Sequence, residues 1–319
     1  MWWIALSLLV LIVVIRIWYR LQSGHCTSQK TLDGKTVIIT GASAGIGKST
    51  AFDMARRKAR VILACRNLEK AQKVADEIIR DTGNNSVIVR KLDTSDLSSV
   101  RSFASEIIKT EDSLHILINN AGMAGHHKRE STTDGLELTM ATNHYGHFLL
   151  TNLLLNLLKK SAPSRVINVS SKMHEYCRKL DPEDLNFEKS SYSIFESYNR
   201  SKLCNILFTL ELAERLHGTG VTTNSLHPGA VDTEIAYKMG GFAGYAQAFL
   251  FKLMAKDCEL GAQTTIHLAV SDSVEGISGK YFVDCKETES SKLAQHRGIA
   301  KKLWLASELD VKLENEEVK

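Results

Sequence analysis

Proline is scarce in this chain, with three among 319 residues. Little interrupts helices or strands, and with no low-complexity stretch or internal repeat, a proline-rich linker protein and a solenoid are both excluded. Cysteine is present but unorganised. Cys26, Cys65, Cys177, Cys204, Cys258 and Cys285 form no CxxC pair and no compact framework. Reduced thiols in a cytosolic setting are therefore expected, in place of a disulfide scaffold or zinc site. A dominant charge sign is also lacking: 40 basic against 36 acidic residues leave a net +4, too small and scattered for a nucleic-acid partner. His126-His127 and His144/His147 have no further ligands at metal spacing, so no metal is expected and surface or supporting roles are assigned to them.

What remains is 44% hydrophobic and 24% charged, enough at this length for one large α/β domain. The first 19 residues stand apart. Met1 to Ile15 carries no charged side chain, and Arg16 is followed by Ile17, Trp18 and Tyr19. Trp2 to Tyr19 would span ~27 Å as a helix at ~1.5 Å per residue, close to the thickness of an endoplasmic reticulum bilayer. Aromatic residues at both ends suit the two interfaces, and Arg16 can reach outward. A cleavable signal peptide normally has a basic start and a small-residue cleavage site, and neither is evident. Arg16, Arg20, Lys30 and Lys35 all follow the apolar run, which places the rest of the chain in the cytosol. The expected division is an anchor at 1–19, a polar linker at 20–34, one folded domain at 35–313 and a polar tail at 314–319. Anchoring is expected, whether by spanning the bilayer or lying in its interface.

From residue 35 onward apolar runs alternate with amphipathic stretches. Strands are expected at Lys35–Thr40, Arg60–Cys65, Val87–Leu92, His115–Asn119, Arg165–Ser170, Val221–Leu226 and Lys280–Asp284. Helices fill the gaps, including a long one from about Gly135 to Lys159. This alternation predicts a doubly wound α/β fold of Rossmann type, a single domain with seven parallel strands covered on both faces.

Several motifs sit on this frame. TGASAGIG (Thr40 to Gly47) follows a strand and opens a helix, the setting in which glycines let backbone N–H groups approach a pyrophosphate. Tyr198 and Lys202 in SYNRSK lie one helical turn apart on the same face. A phenol titrates near ~10, and an adjacent ammonium favours its ionised form, bringing it within range for proton transfer. NNAG (Asn119 to Gly122), Asn143, NVSS (Asn168 to Ser171) and HPGAVDT (His227 to Thr233) complete the set. Cys204 needs no reactive role, and the Asn199-Arg200-Ser201 sequon is discounted because it falls inside the helix of Tyr198.

In their order and spacing these motifs resemble the short-chain dehydrogenase/reductase family. NHYGHFLL, the stretch HEYCRKLDPEDLNFEKSSYS, GAQTTIHLAVS and SGKYFVDCKE are similar to its microsomal retinol dehydrogenase branch, members eleven to fourteen. The resemblance implies that Asn143, Ser171, Tyr198 and Lys202 are catalytic. Tyr198 would exchange a proton with the substrate oxygen, Lys202 would lower the phenol's pKa and bind the nicotinamide ribose, and Ser171 would steady charge on the carbonyl, with Ser170 the less suited serine. Asn143 would distort its helix and hold a water in a proton relay.

It implies a cofactor site of Gly41, Ser43, Ala44, Gly45, Ile46, Gly47, Arg66, Asp93, Asn119, Ala121, Gly122, Tyr198, Lys202, Pro228, Gly229, Val231 and Thr233. Arg66, where an acid would select NAD, predicts NADP(H). Lys48 is either a helper or a solvated lysine. Asp93 is either an adenine contact or, in competition with Asp96, a helix cap. Ile235–Met254 falls where the family builds a substrate lid, and is equally readable as an amphipathic helix packed on the core.

The expectation is an oxidoreductase on the endoplasmic reticulum membrane, facing the cytosol, acting on a lipophilic aldehyde or alcohol such as retinal or retinol. Lipid droplets or another membrane, and homo-oligomers, are left open. The alternatives are a steroid or medium-chain carbonyl reductase of the same fold, or an inactive NADP-binding scaffold.

Overall fold

The computed structural model describes residues 22–231 and 255–313, with positions 2, 3, 6, 7, 10, 12, 14 and 20 of the N-terminal stretch. The fold grows from β1 (Thr36–Thr40), whose five residues are all buried, as befits a strand covered on both faces. It is flanked by β2 (Arg60–Cys65) and β4 (Ile116–Asn119), with β3 (Val87–Lys91) beyond β2. On the other side follow β5 (Ser164–Val169), β6 (Val221–His227), β7 (Tyr281–Val283) and β8 (Lys286–Glu287), giving the order 3-2-1-4-5-6-7-8.

The seven expected strands pair in parallel, but the sheet has eight: β8 runs antiparallel to β7. The connection is a two-residue turn at Asp284 (φ 51°) and Cys285 (φ 61°), both left-handed as a tight hairpin requires. Two exposed residues carry no apolar alternation, so this strand left no trace in the hydrophobic pattern.

Helices cover both faces. On one lie α1 (Gly45–Arg56), α2 (Leu68–Thr82) and α7 (Cys258–Val270); on the other α3 (Leu97–Thr110), α4 (Gly146–Leu153), α5 (Leu155–Lys160), α6 (Ile194–Arg215) and α8 (Arg297–Asp310). Asp96 caps α3 by accepting from the amides of Ser98 and Ser99, while Asp93 accepts from Ser95. The long helix expected from Gly135 begins instead with a turn at Leu138–Met140, held by the Glu137 carboxylate, and continues as a π-helical segment, Ala141–Tyr145, into α4. Strand order reverses between β1 and β4, which leaves a crevice at the carboxyl ends of these strands.

Among the described residues, no helix is long and apolar enough to cross a membrane. Most of the expected anchor at 1–19, and all of Thr233, Ile235–Met254 and the tail at 314–319, lie outside the described residues.

The α-helical layer over β4–β6 is closed by Trp304 of α8, which packs on Phe148 at 4.9 Å and Phe208 at 5.7 Å, with the Arg215 guanidinium 4.1 Å from its ring centre. Trp304→Ala should lower the unfolding free energy by about 3–5 kcal/mol in urea titrations, the range for emptying a buried aromatic site. A loss below about 1 kcal/mol would show that α8 is not part of the cooperative core.

Candidate active site

The crevice is built on glycines that admit no side chain. Gly41 has φ 67°, and a Cβ there would come within 2.9 Å of the Ala121 backbone; one on Gly47 would meet both Asn120 Nδ2 and Gly41 O at 2.5 Å. The ends of β1 and β4 are therefore pressed together. α1 starts with no side-chain cap at Ala44 and no acid in its first turn, so its N-terminal amides and dipole remain available to an anion. Ser43 and Ile46 lie in this same turn. These features fit the pyrophosphate of a dinucleotide.

Around the turn the other expected contacts separate. Arg66, just past β2, keeps an exposed side chain 3.9 Å from Asp93. Lys48 is engaged by Glu77 at 2.7 Å. Asn119 is buried and donates to Thr151 at 3.0 Å and Asn168 at 2.8 Å, so its side chain ties β4 to β5 inside the core. Gly229 (φ 93°) follows Pro228 and lies against the Lys256 side chain, and Val231 bridges to Lys256.

α6 carries Tyr198 and Lys202 into the crevice. Lys202 is buried, donates to the carbonyl of Val169 at 3.2 Å, and has its ammonium 5.6 Å from the Tyr198 ring centre. Burial pulls this lysine down to about 8. Tyr198 is half-buried as a residue; desolvation raises its phenol, and a hydrogen bond with Ser171 works against the rise. Ser171 Oγ also accepts the Met173 amide at 3.2 Å and caps a short 3-10 turn. Ser170 is spent elsewhere, donating to the backbone carbonyl of Lys202 at 2.6 Å.

Asn143 sits in the π-helical segment with its side chain fully engaged. Its Oδ1 accepts from Met123 N at 2.8 Å, and its Nδ2 donates to Met123 O at 3.0 Å and Ser201 Oγ at 2.9 Å. A Cβ on Gly122 would stand 3.3 Å from Asn143 Oδ1 and 3.5 Å from Lys202 Nζ. NNAG, Asn143 and Lys202 thus meet at one point.

Two histidines support this centre: His147, expected in a surface or supporting role, and His174, not singled out in the sequence. His147 is buried, with Nε2 2.9 Å from Thr40 Oγ1 and Nδ1 3.2 Å from the carbonyl of Asn143. Thr40 Oγ1 already accepts the amides of Asn120 and Ala121, both at 2.9 Å. The Asn143 carbonyl can only accept, so the neutral ring carries its proton on Nδ1 and Nε2 accepts from the Thr40 hydroxyl, which also lies 3.4 Å from the Ile118 carbonyl. His174 does the same for the serine: one ring nitrogen bonds the Ser171 carbonyl at 2.7 Å, and the other accepts the Ser291 amide at 3.1 Å. The only signal in the sequence is spacing, four residues after Asn143 and three after Ser171. Together these groups can hold a dinucleotide, move a proton at a phenol and steady charge on a carbonyl oxygen.

Comparison with known proteins agrees with this geometry. The family model for short chain dehydrogenases matches residues 35–181. Human retinol dehydrogenase 11 is 49% identical over 286 residues, covering 89% of this chain and 88% of its own length. Human retinol dehydrogenase 13 is 45% identical, covering 91% and 88%. Among solved structures, an uncharacterised protein from Mycobacterium paratuberculosis is 34% identical with a TM-score of 0.72, covering 92% of this chain and 99% of that one. An Escherichia coli short chain dehydrogenase complexed with NADPH is 25% identical with a TM-score of 0.61, covering 81% and 99%.

Burial holds His144 at about 3, and His147 and His227 at about 4, against an ordinary 6.5. Below that ordinary value the unfolded chain takes up protons that the native protein refuses. Stability should therefore be full above pH 6.5 and fall as pH drops toward 4. Urea midpoints measured from pH 7.5 to 5 should show this decline, with a slope shallower by up to about one proton in His147→Leu. An unchanged slope would mean that His147 titrates alike in both states.

Proposed function

The chain belongs to the short-chain dehydrogenase/reductase family, and from that premise we propose a membrane-anchored, NADP(H)-dependent enzyme that interconverts a lipophilic aldehyde and its alcohol, retinal and retinol foremost. That it is an oxidoreductase homologous to retinol dehydrogenases follows from 44–49% identity over most of its length, and the family works with nicotinamide cofactors. The observation that carries the proposal is the meeting of Tyr198, Lys202, Ser171 and Asn143 beside a glycine turn with an uncapped helix.

The nicotinamide, when bound, supplies or accepts the hydride. In the reducing direction Tyr198 gives its proton to the carbonyl oxygen as the alcohol forms. Ser171 hydrogen-bonds that oxygen and stabilises the charge developing on it. Lys202, charged below about pH 8, favours the phenolate left behind and binds the nicotinamide ribose. Asn143 keeps Met123 and the α6 residue Ser201 in register with the site. The glycine turn from Gly41 to Gly47 would hold the pyrophosphate, and Ala121 and Gly122 would line the ribose side; Thr233, expected at the carboxamide, lies outside the described residues.

Arg66 supports the NADP(H) assignment. Its exposed guanidinium stands at the end of β2, where a 2′-phosphate offers it fork-shaped, charge-assisted contacts. NADPH in the related Escherichia coli structure is consistent with this. An apolar N-terminal run with exposed Trp2 and Trp3 supports anchoring, with the endoplasmic reticulum and a cytosolic orientation as the assignment.

A substrate panel with purified enzyme and NADPH should show retinal reduced in preference to steroids and medium-chain carbonyls; activity on steroids alone would transfer the assignment to them. Tyr198→Phe should lower kcat by at least about 100-fold while NADPH affinity holds. Wild-type rates in that variant on every aldehyde would leave a nucleotide-binding scaffold as the better description. Arg66→Ala should weaken NADPH by about one to two decades, at ~1.4 kcal/mol per decade, and leave NADH nearly unmoved. A wild-type preference for NADH would refute the cofactor assignment.

A further inference from the structure

The residues just before β1 do not leave the domain where β1 begins. β1 starts at the edge of the sheet opposite the crevice, so a preceding segment would ordinarily depart far from the site. Instead residues 24–30 run along α7 as a strap. At its far end the Lys30 ammonium meets Asp272 at 2.6 Å, and Arg57 donates to the carbonyls of Ser28 and Lys30, both at 2.8 Å. Midway, the Cys26 amide donates to Gln263 at 3.0 Å. At the near end the Gly24 amide donates to Asp284 Oδ1 at 3.1 Å, and Asp284 also pairs with the buried Lys256. Arg20 reaches Asp257, the cap of α7.

Asp284 directly follows β7, and Lys256 bridges to Val231 just past β6. Both lie at the carboxyl edge of the sheet, the edge of the catalytic crevice. Seven extended residues at ~3.3 Å each reach about 23 Å, against about 20 Å for the 13 residues of α7, so the strap crosses the full depth of the domain. Gly24 makes the crossing feasible, since a Cβ there would lie 1.9 Å from the carbonyl oxygen of Asp284.

The apolar N-terminal residues, with Trp2, Trp3, Leu6, Val10 and Val14 all exposed, are therefore tethered at the crevice edge. Exposed aromatics occur at that edge too: Tyr176 in the turn after Ser171, and Phe195 one turn before Tyr198. Lys172, Arg178 and Lys179 are exposed around Tyr176, interleaved with the exposed Glu175 and followed by Asp181 and Glu183. Aromatic rings mixed with basic side chains are the composition that settles at lipid headgroups.

We propose that the strap turns the catalytic edge of the sheet toward the bilayer, with the turn bearing Tyr176 and the start of α6 bearing Phe195 resting on the headgroups. A lipophilic aldehyde would then pass from lipid to crevice without crossing water. The proposal rests on the anchoring assigned above and specifies which face of the domain the membrane covers.

The test uses the full-length protein on phosphatidylcholine–phosphatidylserine vesicles containing a phospholipid with a photoreactive headgroup, with adducts mapped by mass spectrometry. Adducts are expected at 172–178 and at 195, at least fivefold over the opposite-edge loops at 111–113 and 217–219. A flexible glycine-serine insertion of about 12 residues between Gln22 and Ser23, long enough for a coil of ~20 Å, leaves the strap intact. It should keep adducts within 1–19 while those at 172–178 and 195 fall at least threefold. Gly24→Ala, which lifts the strap itself, should do the same.

Equal labelling of both edges, or labelling of the opposite edge, overturns the proposal and leaves the anchor standing. Unchanged edge adducts in the insertion variant overturn the role of the strap. Failure of the wild-type protein to bind vesicles overturns both the anchor and the proposal. None of these outcomes depends on which aldehyde is the substrate.

Discussion

One hydroxyl group holds the crevice together. Thr40 Oγ1 accepts the amides of Asn120 and Ala121 at the end of β4 and donates to His147, whose other nitrogen donates to the carbonyl of Asn143. Three segments far apart in sequence are locked by this chain of directional bonds inside a buried volume, where an unmet partner costs about 1–3 kcal/mol. Crevice width, the approach of Gly41 to Ala121 and the position of Asn143 all depend on it. A neutral imidazole is required, because Nε2 must accept, and burial supplies that by holding the ring at about 4.

The same burial sets the electrostatics of Tyr198 and Lys202, the groups proposed to react. Desolvation raises the Tyr198 phenol and lowers Lys202, so both neutral forms are favoured relative to water. A phenol held protonated still carries its proton at neutral pH, and the nearby Lys202 ammonium offsets the cost of releasing it. A lysine at about 8 remains mostly charged near neutrality and is close to switching. Ser171 opposes the rise in Tyr198, and His174 fixes the backbone from which Ser171 projects. Phenol, ammonium and hydroxyl are thus tuned by position within one low-dielectric pocket.

The glycines extend the same logic to the cofactor side. Close approach, not flexibility, is what Gly41, Gly47 and Gly122 contribute: each lacks a Cβ where a neighbouring side chain or backbone already stands. An uncapped helix start at Ala44 then presents amides to an anion. Gly24 uses the absence of a Cβ in another way, passing the N-terminal strap over Asp284 at the edge of the sheet.

Local spacing alone determined a good deal. Period-two and period-3.6 patterns located the seven parallel strands, because a strand buried on both faces must be apolar throughout. The turn from Gly41 to Gly47, and Tyr198 with Lys202 one helical turn apart, were legible because their chemistry is confined to a few consecutive residues. Tertiary structure decided the rest. β8 is two exposed residues, visible only through its pairing with β7. The break of the expected long helix into a π-helical segment depends on contacts from Met123 and Ser201, distant in sequence. Asn119 turns into the core because Thr151 and Asn168 meet it there, and Lys48 is held by Glu77 from the next helix. His147 and His174 became supporting groups only when folding placed Thr40 and Ser291 opposite their second nitrogens. A side chain's type fixes what it can bond, but its partner is chosen by which distant segment the fold brings within 3 Å.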